Sequence, residues 1–134
     1  MNPESPYKTW LKRARTVMTE AQIREFELPF LRGENDEGID YRRDETMLTD
    51  PLPADLPYAV LSDVTCDEFP PPLQNPTDCA ALIRIIAETD QDLAKVGQGG
   101  RYVPIKGGGQ RMYVAHLDDV MTPVEQVWSE AAAR

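Results

Sequence analysis

The residues best suited to chemistry gather between positions 101 and 116, where Arg101, Tyr102, Lys106, Arg111, Tyr113 and His116 surround Gly107, Gly108 and Gly109. Positive charge beside aromatic faces suits stacking on bases and contact with phosphate, and open glycines let backbone amides approach an anion. The spacing is neither GxGxxG between a strand and a helix nor a P-loop with its lysine and hydroxyl. The same run also reads as a plain hairpin with core-packed tyrosines. An acidic chain, moreover, opposes direct nucleic-acid binding, because neutralising phosphates dominates such affinity.

His116 is the chain's single histidine and is followed by Asp118 and Asp119. Imidazole and carboxylate are metal-ligand types, and a histidine can act as a general base. One imidazole without a second, or a placed thiolate, does not build an ordinary zinc site, so no metal is expected. Cys66 would be a nucleophile only with His116 beside it, and Ser5, Ser62 and Ser129 lack a nucleophile-elbow context. Nucleophile, base and orienting group cannot all be assigned. The expectation is therefore a protein that is not an enzyme and takes no cofactor.

The strongest signal is charge. Residues 34 to 70 hold eleven acids against Arg42 and Arg43, a net of −9 that equals the formal charge of the whole chain. Glu34, Asp36, Glu37, Asp40, Asp44, Glu45 and Asp50 form its dense first part. Carboxylates spread along proline-stiffened backbone can imitate a phosphate backbone and steer toward a basic groove over a Debye length of about 8 Å. A calcium loop is not indicated, since the D-x-D-x-D-G spacing with a distal Glu is absent. The competing reading keeps these acids at home, paired with a basic stripe of Lys8, Lys12, Arg13 and Arg15 on the first helix.

The elements that must position these groups follow from period and punctuation. Ser5-Pro6 caps a helix over about 6 to 18, and Thr19 with Gln22 makes a capping box for a second helix that Leu28-Pro29 ends. From 33 to 74 the chain is irregular and proline-broken, apart from a strand over 58 to 66 that alternates Tyr58, Val60, Ser62, Val64 and Cys66 on its buried face. Asn75-Pro76-Thr77-Asp78 opens a helix closed at Gly97, with Cys79, Leu82, Ile83, Ile86, Leu93 and Val96 as core face and Ile85 widening it. Runs 101–106 and 110–116, joined by the glycines, predict a hairpin, its first strand at an edge because of Pro104. Thr122-Pro123-Val124-Glu125 predicts the start of a last helix that turns Val124, Val127, Trp128 and Ala131 inward.

The expected fold is α+β: a small antiparallel sheet, made of the 58–66 strand and the 101–116 hairpin, packed with about four helices in the order ααβαββα. With 134 residues the chain is expected to be a single domain, 1–134, with acidic and proline-rich irregular segments at 34–57 and 67–74. The opening residues predict no secretory signal, and no apolar run is long enough to span a membrane. Two cysteines, Cys66 and Cys79, are too few for a secreted framework and match no CxxC pattern, so a reducing cytoplasm is expected; whether they meet stays open.

The functional expectation is a protein-binding protein whose acidic segment docks on the basic surface of a larger partner. An inhibitor or adaptor of nucleic-acid-handling machinery, of phage or mobile-element type, would fit. Two alternatives stand beside it: a virion or assembly subunit, and a nucleic-acid or phosphate binder using Arg101, Tyr102, Lys106, Arg111, Tyr113 and His116.

Overall fold

The computed structural model describes residues 6–31, 52–107 and 109–134. The chain divides into two compact units, 1–51 and 52–134. In the first, α1 (Pro6–Ala14) and α2 (Glu20–Leu31) flank a tight turn. The capping box forms as its residues predict: Thr19 N–H donates to Gln22 Oε1 at 2.9 Å, and Gln22 N–H donates to Thr19 Oγ1 at 3.2 Å. Ala14, Met18 and Ile23 are buried. Two boundaries differ from expectation. α1 ends at Ala14, where Thr16 Oγ1 donates to the Arg13 carbonyl, and α2 continues past Pro29 to Leu31. A proline removes one interior hydrogen bond without obliging the chain to leave the helix.

The second unit is built on a β-α-β core: β1 (Tyr58–Ser62), α3 (Pro76–Ala94) and β2 (Gly100–Pro104). β1 and β2 pair in parallel, Tyr58 opposite Gly100 and Ser62 opposite Pro104, as a two-stranded sheet. The chain then passes through a one-turn helix, α4 (Met112–Ala115), into α5 (Leu117–Ala132). This corrects the expected antiparallel hairpin. No second strand follows the glycines; residues 112–115 are helical, and the described order is ααβαβαα. A parallel pair needs a crossover, and α3 supplies it.

α3 forms where its local signals put it. Asn75 Oδ1 accepts from Asp78 N–H at 2.9 Å, Pro76 occupies the first turn, and the first acid complements the helix dipole. Its buried positions are Cys79, Leu82, Ile85, Thr89 and Ala94. Ile85 is thus central rather than peripheral, while Ile83 and Val96, expected in the core, are exposed. Phe69, Leu73 and Ile105 complete the apolar core of this unit.

Alternation along the strands gives the sheet two covered faces. Tyr58 and Ser62 face α3: the Tyr58 hydroxyl donates to the Leu93 carbonyl at 2.9 Å and accepts from Gly97 N–H at 2.8 Å, and Ser62 Oγ donates to the Asp90 carboxylate. Gly100 lies beneath the Tyr58 ring. A Cβ there would come within 2.2 Å of the Ala94 carbonyl oxygen and 2.3 Å of the ring, so the close approach requires glycine. On the other face Arg101 reaches α5, bonding Gln126 Oε1 at 3.1 Å and pairing with Glu130. The strand itself stops at Ser62 instead of 66, because the chain turns into two 3₁₀ turns, Cys66–Glu68 and Pro71–Leu73.

The last helix also starts earlier than its T-P-x-E box suggests. α5 begins at Leu117 and runs through a buried Pro123, with Asp118 and Asp119 in its first turn. Thr122 does not cap; its hydroxyl donates to the Asp118 carbonyl one turn back at 3.0 Å.

Candidate functional site

In open parallel α/β units ligands meet the loops at the carboxyl ends of the strands. Here those loops are 63–69 and 105–116, and they touch. Gly109, held at φ +53°, donates its N–H to Asp63 Oδ2 at 2.7 Å. Thr65 N–H donates to Glu68 Oε2 at 3.1 Å, and the Thr65 hydroxyl bonds Asp67. A Cβ on Gly109 would stand 2.6 Å from Glu68 Oε1 and 3.1 Å from Thr65 Oγ1. The glycine loop therefore cradles an anion, but the anion is the chain's own carboxylate. The place a phosphate would take against the Gly109 amide is already filled by Asp63.

His116 lies over the same loop, where a Cβ on Gly107, at φ +92°, would be 3.4 Å from Nε2. Its Nδ1 is 3.5 Å from Asp119 Oδ2, a partly exposed pair one turn apart. Asp118 does not join it in any ion pair among the described residues. No group of three or more histidine, cysteine or acidic side chains suited to a metal occurs among the described residues. Cys66 is bonded to Cys79 in a disulfide with Cα atoms 5.6 Å apart, so it is no thiolate in this state. That bond ties the first 3₁₀ turn to the first turn of α3.

Of the other predicted ligand-binding residues, the two on β2 are divided between the faces of the sheet. Arg101 and Tyr102 are neighbours on a strand and so point to opposite faces, Arg101 being engaged with α5. Lys106 and Arg111 are exposed in the loop and Tyr113 is exposed on α4. The basic and aromatic platform expected of a hairpin is split by the parallel topology.

Of the acidic stretch, Glu34, Asp36, Glu37, Asp40, Asp44, Glu45 and Asp50 lie outside the described residues. The acids in its second part all have intramolecular roles. Asp55 pairs with Arg134, whose guanidinium holds the carboxyl below the usual carboxylate range; Asp63, Asp67 and Glu68 build the loop just described. On the opposing basic stripe, Arg15 bonds Glu20 at 2.7 Å. Asp90 is the acid shifted the other way: desolvation beneath the sheet raises its pKa, against the Ser62 hydrogen bond that lowers it.

One surface escapes the sequence reading. Leu117, Met121, Val124 and Trp128 are all exposed on α5, Trp128 to 76%, with Tyr113 and Val114 exposed just before them. Val124, Trp128 and Ala131, expected inward, point out; Pro123 is the buried position, and Val127 is half-buried. The signal was the recurrence of large apolar residues at four- and three-residue steps, which fixes a stripe but not its cover. No family model, curated protein or solved structure matches the chain.

Proposed function

We propose that this chain is a non-catalytic protein-binding protein, an inhibitor or adaptor that docks on a larger partner. The observation that carries this reading is the run of large apolar side chains left exposed on α4 and α5, from Tyr113 to Trp128. Contiguous exposed apolar surface on a small domain marks an interaction site. Groups that would serve catalysis have other occupations: Cys66 is in a disulfide, the Gly109 amide holds Asp63, and His116 pairs with Asp119.

The acidic residues Glu34 to Asp50 form the second element of the reading. With the acids from 55 to 68 engaged inside their own unit, the earlier seven remain the ones for a basic partner surface, by long-range attraction that salt screens. Nucleic-acid-handling machinery presents such surfaces, which is the proposed setting. The test is recovery of partners from an extract of the native host, eluted by salt and identified by mass spectrometry. A partner held by the unmodified chain should be lost when Asp36, Glu37, Asp40, Asp44 and Glu45 are changed to Asn or Gln. Equal recovery by both proteins ends the acidic-docking reading.

No helix among the described residues is long and apolar enough to cross a membrane. A cytoplasmic setting is proposed for the form with free thiols, whereas the Cys66–Cys79 bond is of the kind an oxidising compartment preserves. Alkylation of thiols in freshly broken cells decides between them: two modified cysteines support the cytoplasm, none refutes it.

A further inference from the structure

The stripe on α5 has a shape and an edge charge that together specify what can cover it. Leu117, Met121, Val124, Trp128 and Ala131 follow a four-three-four-three spacing, the seam of a helix that packs against another helix. The 16 residues of α5 extend about 24 Å, which holds all five of these seam positions. One side of the stripe joins the body of the unit through half-buried Val120 and Val127. Its free side carries Asp118 and Glu125, both exposed and in no ion pair among the described residues. There is no basic residue within α5.

This asymmetry discriminates among occupants. A second copy packed antiparallel would set Asp118 and Glu125 of one helix against Glu125 and Asp118 of the other, and like charges facing each other are costly. A parallel copy would drive its free edge into the body beside Val120 and Val127. A helix whose own apolar seam is flanked by Lys or Arg meets neither obstacle, and the net charge of −9 attracts it. Trp128 and Met121 are side chains of the type that anchor such contacts.

We infer that the outward face of α5 is the docking site for a cationic amphipathic helix of a partner protein, its apolar seam on Leu117, Met121, Val124 and Trp128 and its basic flank against Asp118 and Glu125. This rests on the protein-binding reading and adds the chemistry of the partner segment.

The experiment uses the full chain and two fluorescently labelled synthetic helices with identical leucine seams, one flanked by Lys and Arg, the other by Glu. Anisotropy titration should give saturable binding of the cationic helix and roughly tenfold or more weaker binding of the acidic one. Trp128→Ala should weaken the cationic helix roughly tenfold or more. Asp118→Lys with Glu125→Lys should reverse the preference between the two. Neutralising the five acids between Asp36 and Glu45 should leave the cationic helix bound, which separates this site from the acidic-segment reading. The inference is overturned by no saturation up to about 100 μM, by binding indifferent to Trp128→Ala, or by a dimer in sedimentation that Trp128→Ala dissolves, which would give the face to a second copy. Should the host partner of the preceding section still be recovered in any of those cases, the protein-binding reading survives without this site.

Discussion

α3 and α5 lie on the two faces of the same small sheet and are both amphipathic, yet they use their apolar stripes in opposite ways. α3 buries Cys79, Leu82 and Ile85 against the strands and the proline-rich turns, and its polar face meets water. α5 fixes itself to the sheet with a narrow strip, Pro123 with half-buried Val120 and Val127, reinforced by Arg101, and leaves its large apolar residues outside. An apolar stripe thus records where a helix expects company, whether or not the company is in the same chain. The first helix spends its stripe inside the unit, and the second leaves its stripe exposed.

The sharpest way to break this contrast is a pair of truncations. Leu82→Ala on α3 should cost about 2–5 kcal/mol, because it opens a cavity in a packed interior. Trp128→Ala on α5 should change stability by no more than about 0.5 kcal/mol, as an exposed substitution does. Urea unfolding measures both; similar losses would mean that Trp128 belongs to the core and that the face is not free.

The disulfide should come next. Cys66 and Cys79 are 13 positions apart, and closing a loop of that size stabilises by about 3 kcal/mol. Replacing both with serine should lower the urea midpoint accordingly while the α5 face stays unchanged in peptide binding. If peptide binding fell as far as stability, the division between a structural and a binding helix would be wrong.

Gly100→Ala should follow, at about 1–3 kcal/mol, by forcing the Tyr58 ring and the end of α3 apart. A thermal melt of the variant, with Tyr58→Phe as a second probe of the same joint, reads this loss. Full stability in Gly100→Ala would show that α3 is not seated as closely as described.

The smallest effect concerns acids. Asp90 has a raised pKa in the fold, so its favourable contribution is complete below the ordinary carboxylate range and is lost as pH rises through the folded value. Asp90→Asn, which can still accept from Ser62, should gain on the unmodified protein as pH rises above the ordinary carboxylate value of about 4. A gap between Asp90→Asn and the unmodified chain that is constant with pH would sink the assignment.

Sequence legibility follows the reach of the signals. The cap of α3 is legible because Asn75, Pro76 and Asp78 act on one another within a turn, and the Thr19 and Gln22 box is legible for the same reason. The expected hairpin does not form, because adjacency across Gly107 to Gly109 does not by itself impose pairing. What directs Gly109 is Asp63, 46 positions away, and what pairs with β2 is a strand before a whole helix. The pairing of Cys66 with Cys79 depends likewise on where the turn of 66–68 lands against α3. For the candidate site, the apolar character of Val124 and Trp128 was legible, but their direction depended on Pro123 and Arg101 fastening the other side of α5. The dense acids from Glu34 to Asp50 lie outside the described residues, so the structure leaves their reading where composition put it.

The ion pair between Asp55 and Arg134 has a topological consequence. It brings the beginning of the 52–134 unit beside its end, so the path of the chain through this unit is nearly a closed ring. Folded segments with adjoining ends tolerate being reconnected and cut elsewhere. A few residues bridging Arg134 to Leu52 would allow the ring to be opened at another exposed loop, turning the unit into a cassette that could be spliced into a host protein with α5 still facing outward.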